Sequence, residues 1–283
     1  MRNYRIGLYE KALPTSLGYR EMLEEAKGAG FDYIELSVDE TDARLSRLEW
    51  SDYERNNVLC ISRKCGVPFG SICLSGHRKY PLGSNDPAIC ARGMEIMEKA
   101  IRLAEDLGIR MIQLAGYDVY YEPSTPDTAR RFADHLELCV KMAAKEGVQM
   151  GFETMETPFM DTVGKAMKYV DMANSPYLGV YPDLGNLTNA SLRYDVSLSE
   201  DLKKGKGHIV AAHIKETLPG VYREVPFTTG HVAFETALKT CWELGVRRYV
   251  TELWYTGQKD WRGDVAFAAR LARNILDSCD VEE

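Results

Sequence analysis

The sequence predicts an α/β fold, a (β/α)8 TIM barrel forming one domain over residues 1–283. Three observations predict it. Short apolar, β-branched or aromatic runs alternate with longer amphipathic stretches, and there are eight such runs. Most of the amphipathic stretches stop at a glycine just before the next run. No GxGxxG or GxxxxGK[ST] loop follows an early run, although an open, doubly wound sheet would more often carry one. Strict strand–helix alternation implies a parallel sheet, and eight units within a chain of roughly 250 residues can close into a barrel.

The first strand-like run covers residues 4–10 and leads to a helical pattern at 16–29, which stops in AGFDYIEL before the second run at 33–39. The second helix, 51–65, breaks in CGVPFGSICL, whose apolar tail is the third strand, 68–74. In the third helix, 87–107, Ile96, Ala100, Leu103, Ala104 and Leu107 follow the helical period, so one face is buried on the sheet. LGIRMIQLAG then carries the chain into the fourth strand, 111–116. A helix at 126–146 ends in EGVQMGFET, which holds the fifth strand, 149–154. Next come helix 161–173 with strand 178–184, and helix 199–205 with strand 209–216. Helix 233–244 ends in LGVRRYVTEL, the source of the eighth strand, 248–254, and a last helix spans 261–279. Glycine relieves the left-handed backbone at a helix C-terminus, and it stands at five of the seven helix-to-strand joints.

Composition narrows the function. An apolar fraction of 45% with 27% charged residues is ordinary for a compact globular chain. The net charge is −7, and no run of Lys or Arg exceeds two, so the basic footprint that phosphate neutralisation demands of a nucleic-acid binder is missing. Cys60, Cys65, Cys73, Cys90, Cys139, Cys241 and Cys279 are scattered without a CxxC pair. Together with a start, MRNYRIGLYEK, that lacks an apolar leader, they point to reduced thiols and a cytoplasmic protein. No stretch approaches the roughly 18 apolar residues of a membrane span.

Catalytic groups of a barrel sit at the C-terminal ends of its strands and in the loops that follow. The fifth strand ends in GFETMETP with Glu153 and Glu156, and the sixth in GVYPDLGN with Asp183 and Asn186. The seventh, IVAAHIKET, carries His213 and Lys215, and the eighth ends in VTELWY with Glu252. An acid inside MGFE or YVTE is costly to bury without compensation of its charge. A divalent cation held by Glu153, Asp183, His213 and Glu252 compensates all three acids at once, and this oxygen-rich set suits Mn²⁺, Zn²⁺, Co²⁺ or Mg²⁺. The competing explanation is a separate ion pair for each acid with a nearby Lys or Arg. In the loop LSGHRKYPLGS, His77 and Arg78 occupy the same rim and are candidates to touch an anionic or hydroxylated substrate.

With these residues in hand, the chain resembles the xylose-isomerase-like superfamily of barrels. Within it, the chain is most similar to the L-ribulose-5-phosphate 3-epimerase (L-xylulose-5-phosphate 3-epimerase) family of ascorbate and pentose catabolism. The segments that carry the resemblance are GLYEKALP, IELSVDETDARLSRLEW, CLSGHRKYPLGS, IQLAGYDVYY, YPDLGN, GHIVAAHIKET, PGVYREVPF and TELW, and they span almost the whole chain. The resemblance implies that Glu153, Asp183, His213 and Glu252 bind one divalent metal, and that Glu153 and Glu252 flank the substrate as the two catalytic acid–base groups. One glutamate would remove the C3 proton of a ketose phosphate and the other would return a proton to the opposite face through an enediolate. Lys215, His77 and Arg78 are candidates for the phosphate, and Glu156 and Asn186 for sugar hydroxyls.

Other uses of such a barrel stay open at this point. A free-ketose 3-epimerase or sugar isomerase would use the same cluster. An abasic-site endonuclease would need additional histidine ligands and a basic face, against five histidines in all and a negative total. A non-catalytic sugar-binding barrel would have no use for the glutamate pair. A homo-oligomer, dimeric or tetrameric, is left open by the sequence.

Overall fold

The computed structural model describes residues 2–281; Met1, Glu282 and Glu283, which the single-domain reading includes, lie outside it. Eight strands form one parallel sheet: β1 (Arg5–Tyr9), β2 (Tyr33–Ser37), β3 (Phe69–Leu74), β4 (Met111–Ala115), β5 (Gln149–Glu153), β6 (Leu178–Tyr181), β7 (Ala212–Ile214) and β8 (Arg248–Thr251). Their order is β6-β5-β4-β3-β2-β1-β8-β7. The seam between the outermost pair is closed by the parallel bridges Val180 to Ile209 and Asp183 to His213. At that seam the Val180 amide donates to His208 at 2.8 Å and the His213 amide to Pro182 at 2.9 Å. The barrel is therefore nearly closed, with β7 shorter than the expected 209–216: of its flanks only Ile209 is bridged, to Val180.

Among the described residues ten α-helices surround or connect the strands: α1 (Tyr19–Gly28), α2 (Asp42–Leu45), α3 (Asp52–Cys65), α4 (Pro87–Asp106), α5 (Pro126–Glu146), α6 (Val163–Ala173), α7 (Leu184–Tyr194), α8 (Leu198–Lys203), α9 (Phe234–Glu243) and α10 (Trp261–Val281). The glycines expected to end helices do so in the left-handed region, with φ of 92° at Gly30 and 71° at Gly66, for example. Two helices depart from the sequence reading. Helix α2 sits in the β2–α3 loop, and α7 follows β6 directly, whereas only the short α8 was expected there. The Asp183 carboxylate caps α7 by accepting from the Asn186 amide at 2.6 Å. Its apolar residues Leu184, Leu187 and Ala190 are buried, but Asn, Thr and Ser between them have weak helix propensity and mask the pattern.

Inside the barrel, Tyr9, Tyr33, Cys73, Met111, Tyr181, Ala211 and Val250 form one buried cluster, so the interior is a packed core. A Cβ on Gly7 would stand 2.3 Å from the Tyr33 ring, so glycine there makes room for a filled interior. Among the described residues no helix is long and apolar enough to cross a membrane.

Candidate metal centre and substrate cavity

Parallel strands point alternate residues inward, and the last inward positions before the C-terminal rim are Glu153 on β5, Asp183 after β6, His213 on β7 and Glu252 after β8. One ligand atom from each lies within 4.8 Å of every other. All four are buried, Asp183 and His213 completely. His213 Nδ1 is 3.1 Å from Glu153 Oε1, 3.5 Å from Glu252 Oε2 and 3.9 Å from Asp183 Oδ2.

The cluster gathers three buried carboxyl groups around one imidazole. Lys215, two residues past His213, puts Nζ 3.0 Å from Asp183 Oδ2 and 3.3 Å from Glu252 Oε2. These distances make ion pairs, yet neither oxygen has a partner with hydrogen-bond alignment. The Gln113 amide on β4 donates to Glu153 Oε2, leaving its own Oε1 unpartnered. Three carboxyl groups and an imidazole converging on one point, with two buried acceptor oxygens left over beside a single ammonium, fit a divalent cation. Burial pushes the Asp183 carboxyl up to about 8. Burial, followed by repulsion from Glu252, also raises Glu153. Burial alone would raise Glu252 too, but Lys215 and His213 beside it hold it well below the usual carboxylate range. The two glutamates thus sit in environments of opposite bias.

Above the cluster opens a cavity with Glu153, Glu252 and Lys215 in its wall. Of the other candidates, Arg78, Glu156 and Asn186 line it. Asn186 donates to the Thr154 carbonyl at 2.7 Å, and its Oδ1 is buried without a partner. Glu156 accepts from Tyr117 at 2.6 Å and pairs with Arg223 at 2.7 Å. The Arg78 guanidinium lies over the Tyr120 ring at 5.0 Å, and its buried Nε has no partner. Lys215 faces the carboxylate cluster directly. His77 turns elsewhere: residues Ser75–Arg78 form a 3-10 turn that aims its Nε2 at the Gly93 carbonyl of α4, 3.0 Å away. Burial lowers its pKa to about 4, so the ring is neutral and wedged between turn and helix.

The structure adds residues that the sequence reading did not single out. Tyr9, Trp254, Tyr222 and Arg223 line the cavity, and Glu35 on β2 lies 2.7 Å from His213 Nε2. Tyr222 and Arg223 are carried by the loop after β7. Buried Glu216 pins that loop by accepting from the amides of Thr217 at 3.0 Å, Thr228 at 2.9 Å and Val232 at 3.1 Å. The sequence signal for Glu35 was available: an acid in the middle of YIELS is as anomalous as the ones in MGFE and YVTE.

Comparison with known proteins agrees with this architecture. Residues 23–271 match the family model described as a xylose isomerase-like TIM barrel. The L-ribulose-5-phosphate 3-epimerase UlaE of Escherichia coli O157:H7 is 45% identical over 274 residues, covering 95% of each chain. Among solved structures, D-psicose 3-epimerase from Clostridium cellulolyticum H10, determined with D-tagatose, superposes with a TM-score of 0.81 at 15% identity, over 96% of this chain and 99% of that one. D-Allulose 3-epimerase from Methylomonas sp., in complex with D-allulose, gives 0.79 at 17% identity, over 97% and 98%. At these low identities the structural matches speak for the fold.

Proposed function

The chain belongs to the xylose isomerase-like TIM barrel family and, within it, to the L-ribulose-5-phosphate 3-epimerase family. From that premise we propose that it inverts C3 of a ketopentose 5-phosphate, interconverting L-ribulose 5-phosphate and L-xylulose 5-phosphate. The observation that carries this reading is the approach of Glu153 and Glu252 to one imidazole nitrogen, at 3.1 and 3.5 Å, from strands that flank the β6–β7 seam. A ketose bound over that nitrogen has a carboxylate from each of two strands within reach.

Glu153, Asp183, His213 and Glu252 would hold one divalent ion, Mn²⁺, Zn²⁺, Co²⁺ or Mg²⁺ by the donor set. When bound, such an ion supplies Lewis acidity that makes a proton beside a carbonyl easier to remove. One glutamate takes the C3 proton and its electron pair stays on the sugar as an enediolate. The other glutamate, carrying a proton, delivers it to the opposite face of C3. Each turnover exchanges the protonation states of the pair, and solvent exchange resets them. Tyr9 and Trp254 wall the cavity and limit water near the exposed carbanionic carbon.

In the cavity wall, Arg78 and Arg223 supply guanidinium groups for the phosphate, since planar forks match phosphate oxygens. Asn186 and Glu156 are placed to hydrogen-bond sugar hydroxyls. Lys215 serves as counter-charge to the carboxylates, and His77 has no substrate role in this scheme. A cytoplasmic setting fits the absence of any disulfide among the described residues, and the acidic total fits a small-molecule substrate with no nucleic-acid partner.

Side-by-side incubation with L-ribulose 5-phosphate and free L-ribulose tests the substrate. Preferential epimerisation of the phosphate ester is expected. Activity confined to the free sugar would reject the phosphate and leave a free-ketose epimerase.

A further inference from the structure

Glu35 is a buried carboxylate that the proton-transfer scheme leaves unused. It occupies the middle of β2 and is fully buried. Its Oε2 accepts from Ser71 Oγ on β3 at 2.6 Å and from the Tyr181 hydroxyl on β6 at 3.0 Å. Its Oε1 lies 2.7 Å from His213 Nε2 on β7. Four strands thus converge on one carboxylate in the floor beneath the acidic cluster. The Tyr181 ring also meets the imidazole edge-on, with centroids 4.9 Å apart, so the ring is fixed by packing as well as by the acid.

The chemistry of this contact is one-directional. An ionised carboxylate only accepts hydrogen bonds, so at Nε2 it requires a proton on the ring. Nδ1 is the nitrogen that faces Glu153, Glu252 and Asp183; with no ion there it also lies at hydrogen-bond distance from Glu153, 3.1 Å away, and in an ion-loaded site the Nε2 proton leaves the Nδ1 lone pair as the donor. We propose that Glu35 is a positioning residue for the cation site: it holds His213 in the Nε2–H tautomer and presents Nδ1 as the ligand atom, strengthened as a donor by the negative charge behind it. This rests on the reading of the cluster as a divalent-cation site. Metal-binding histidines generally hand their second N–H to such an acceptor, and loss of the acceptor weakens metal affinity. A carboxylate that served the barrel alone would affect melting and leave affinity for the ion untouched.

The experiment titrates Co²⁺ alone into metal-free protein, wild type and Glu35→Gln, following affinity and the visible cobalt bands, with circular dichroism confirming the fold. Glu35→Gln is expected to bind Co²⁺ roughly 10–100-fold more weakly with altered bands. Ser71→Ala, which removes one hydrogen bond from the same carboxylate without changing any charge, is expected to weaken binding less. Nitrogen NMR of labelled histidine in the Zn²⁺-loaded wild type is expected to find the proton on Nε2 of His213. Wild-type affinity in folded Glu35→Gln would overturn the proposal, as would a proton found on Nδ1. If Glu35→Gln does not fold, Ser71→Ala decides: unchanged affinity overturns the proposal. A wild-type protein that binds no Co²⁺ is a distinct outcome, which rejects the cation site together with the role of Glu35.

Discussion

Lys215 Nζ stands 3.0 Å from Asp183 Oδ2 in the floor of the cavity, an ammonium inside a cluster of acids. Both groups are almost wholly buried, so Lys215 is the resident counter-charge whenever no ion is present. Lys215→Met would leave the acids without it. Removal of one partner from a buried pair costs about 3–5 kcal/mol, and a bound divalent ion would offset much of that. The metal-free variant is therefore expected to melt at a lower temperature than metal-free wild type, with most of the difference removed by Mn²⁺. A melting curve unchanged by the substitution, or unresponsive to Mn²⁺ in both proteins, would refute this account of the cluster. In the same preparations, chelation is expected to abolish turnover and Mn²⁺, Co²⁺ or Zn²⁺ to restore it.

Arg78 and Arg223 give the substrate assignment its sharpest mutational check. Hydrogen bonds to charged groups are worth about 1.5–3 kcal/mol, so Arg78→Ala is expected to raise KM for the phosphorylated ketose by roughly 10-fold or more with a smaller change in kcat. The free sugar should be nearly indifferent to the substitution. Equal loss on both substrates would move Arg78 from phosphate binding to general cavity architecture.

Acid stability should depend on Glu10, at the end of β1. It is buried against Arg47, with Nη1–Oε2 and Nη2–Oε1 both 2.6 Å, and it also contacts Arg44. Burial alone would raise its pKa, but Arg47 and Arg44 outweigh that and hold it below the ordinary 4.5. A depressed folded pKa contributes stability above the ordinary value and loses it as pH falls through the folded value. Wild type is thus expected to lose stability progressively below about pH 4.5. Glu10→Gln should start about 3–5 kcal/mol less stable at neutral pH and show a shallower acid limb. Parallel melting-temperature curves from pH 7 to 3 would contradict the role of Glu10.

Much of this site was legible because burial of charge leaves a trace in sequence. Glu153 and Glu252 stand out as acids inside apolar strands, and the barrel alternation gives them a common rim with Asp183 and His213. Glu35 and Gln113 obey the same rule but lie deeper in β2 and β4, where a reading restricted to strand ends does not look. Helix α7 was hidden by its Asn, Thr and Ser content, although its capping residue Asp183 had been identified for another reason. His77 shows the opposite limit: its loop was correctly placed on the rim, but one 3-10 turn decided which way the ring points, and local turn geometry is weakly encoded in composition. Arg223 lay in a recognised segment, PGVYREVPF, yet its approach to the cavity depends on the hydrogen bonds of Glu216 to amides up to 16 residues away.

In the proposed reaction Glu153 and Glu252 exchange a proton with C3 of a bound ketose phosphate. Epimerisation of L-ribulose 5-phosphate in D₂O, followed by NMR of the sugar, tests it most directly. The account predicts that the L-xylulose 5-phosphate formed carries solvent deuterium at C3. It also predicts that Glu153→Gln and Glu252→Gln, each still folded, lose roughly 10²–10⁴-fold in turnover. Epimer formed with the original C3 hydrogen retained throughout, or near-normal turnover in either variant, would contradict it.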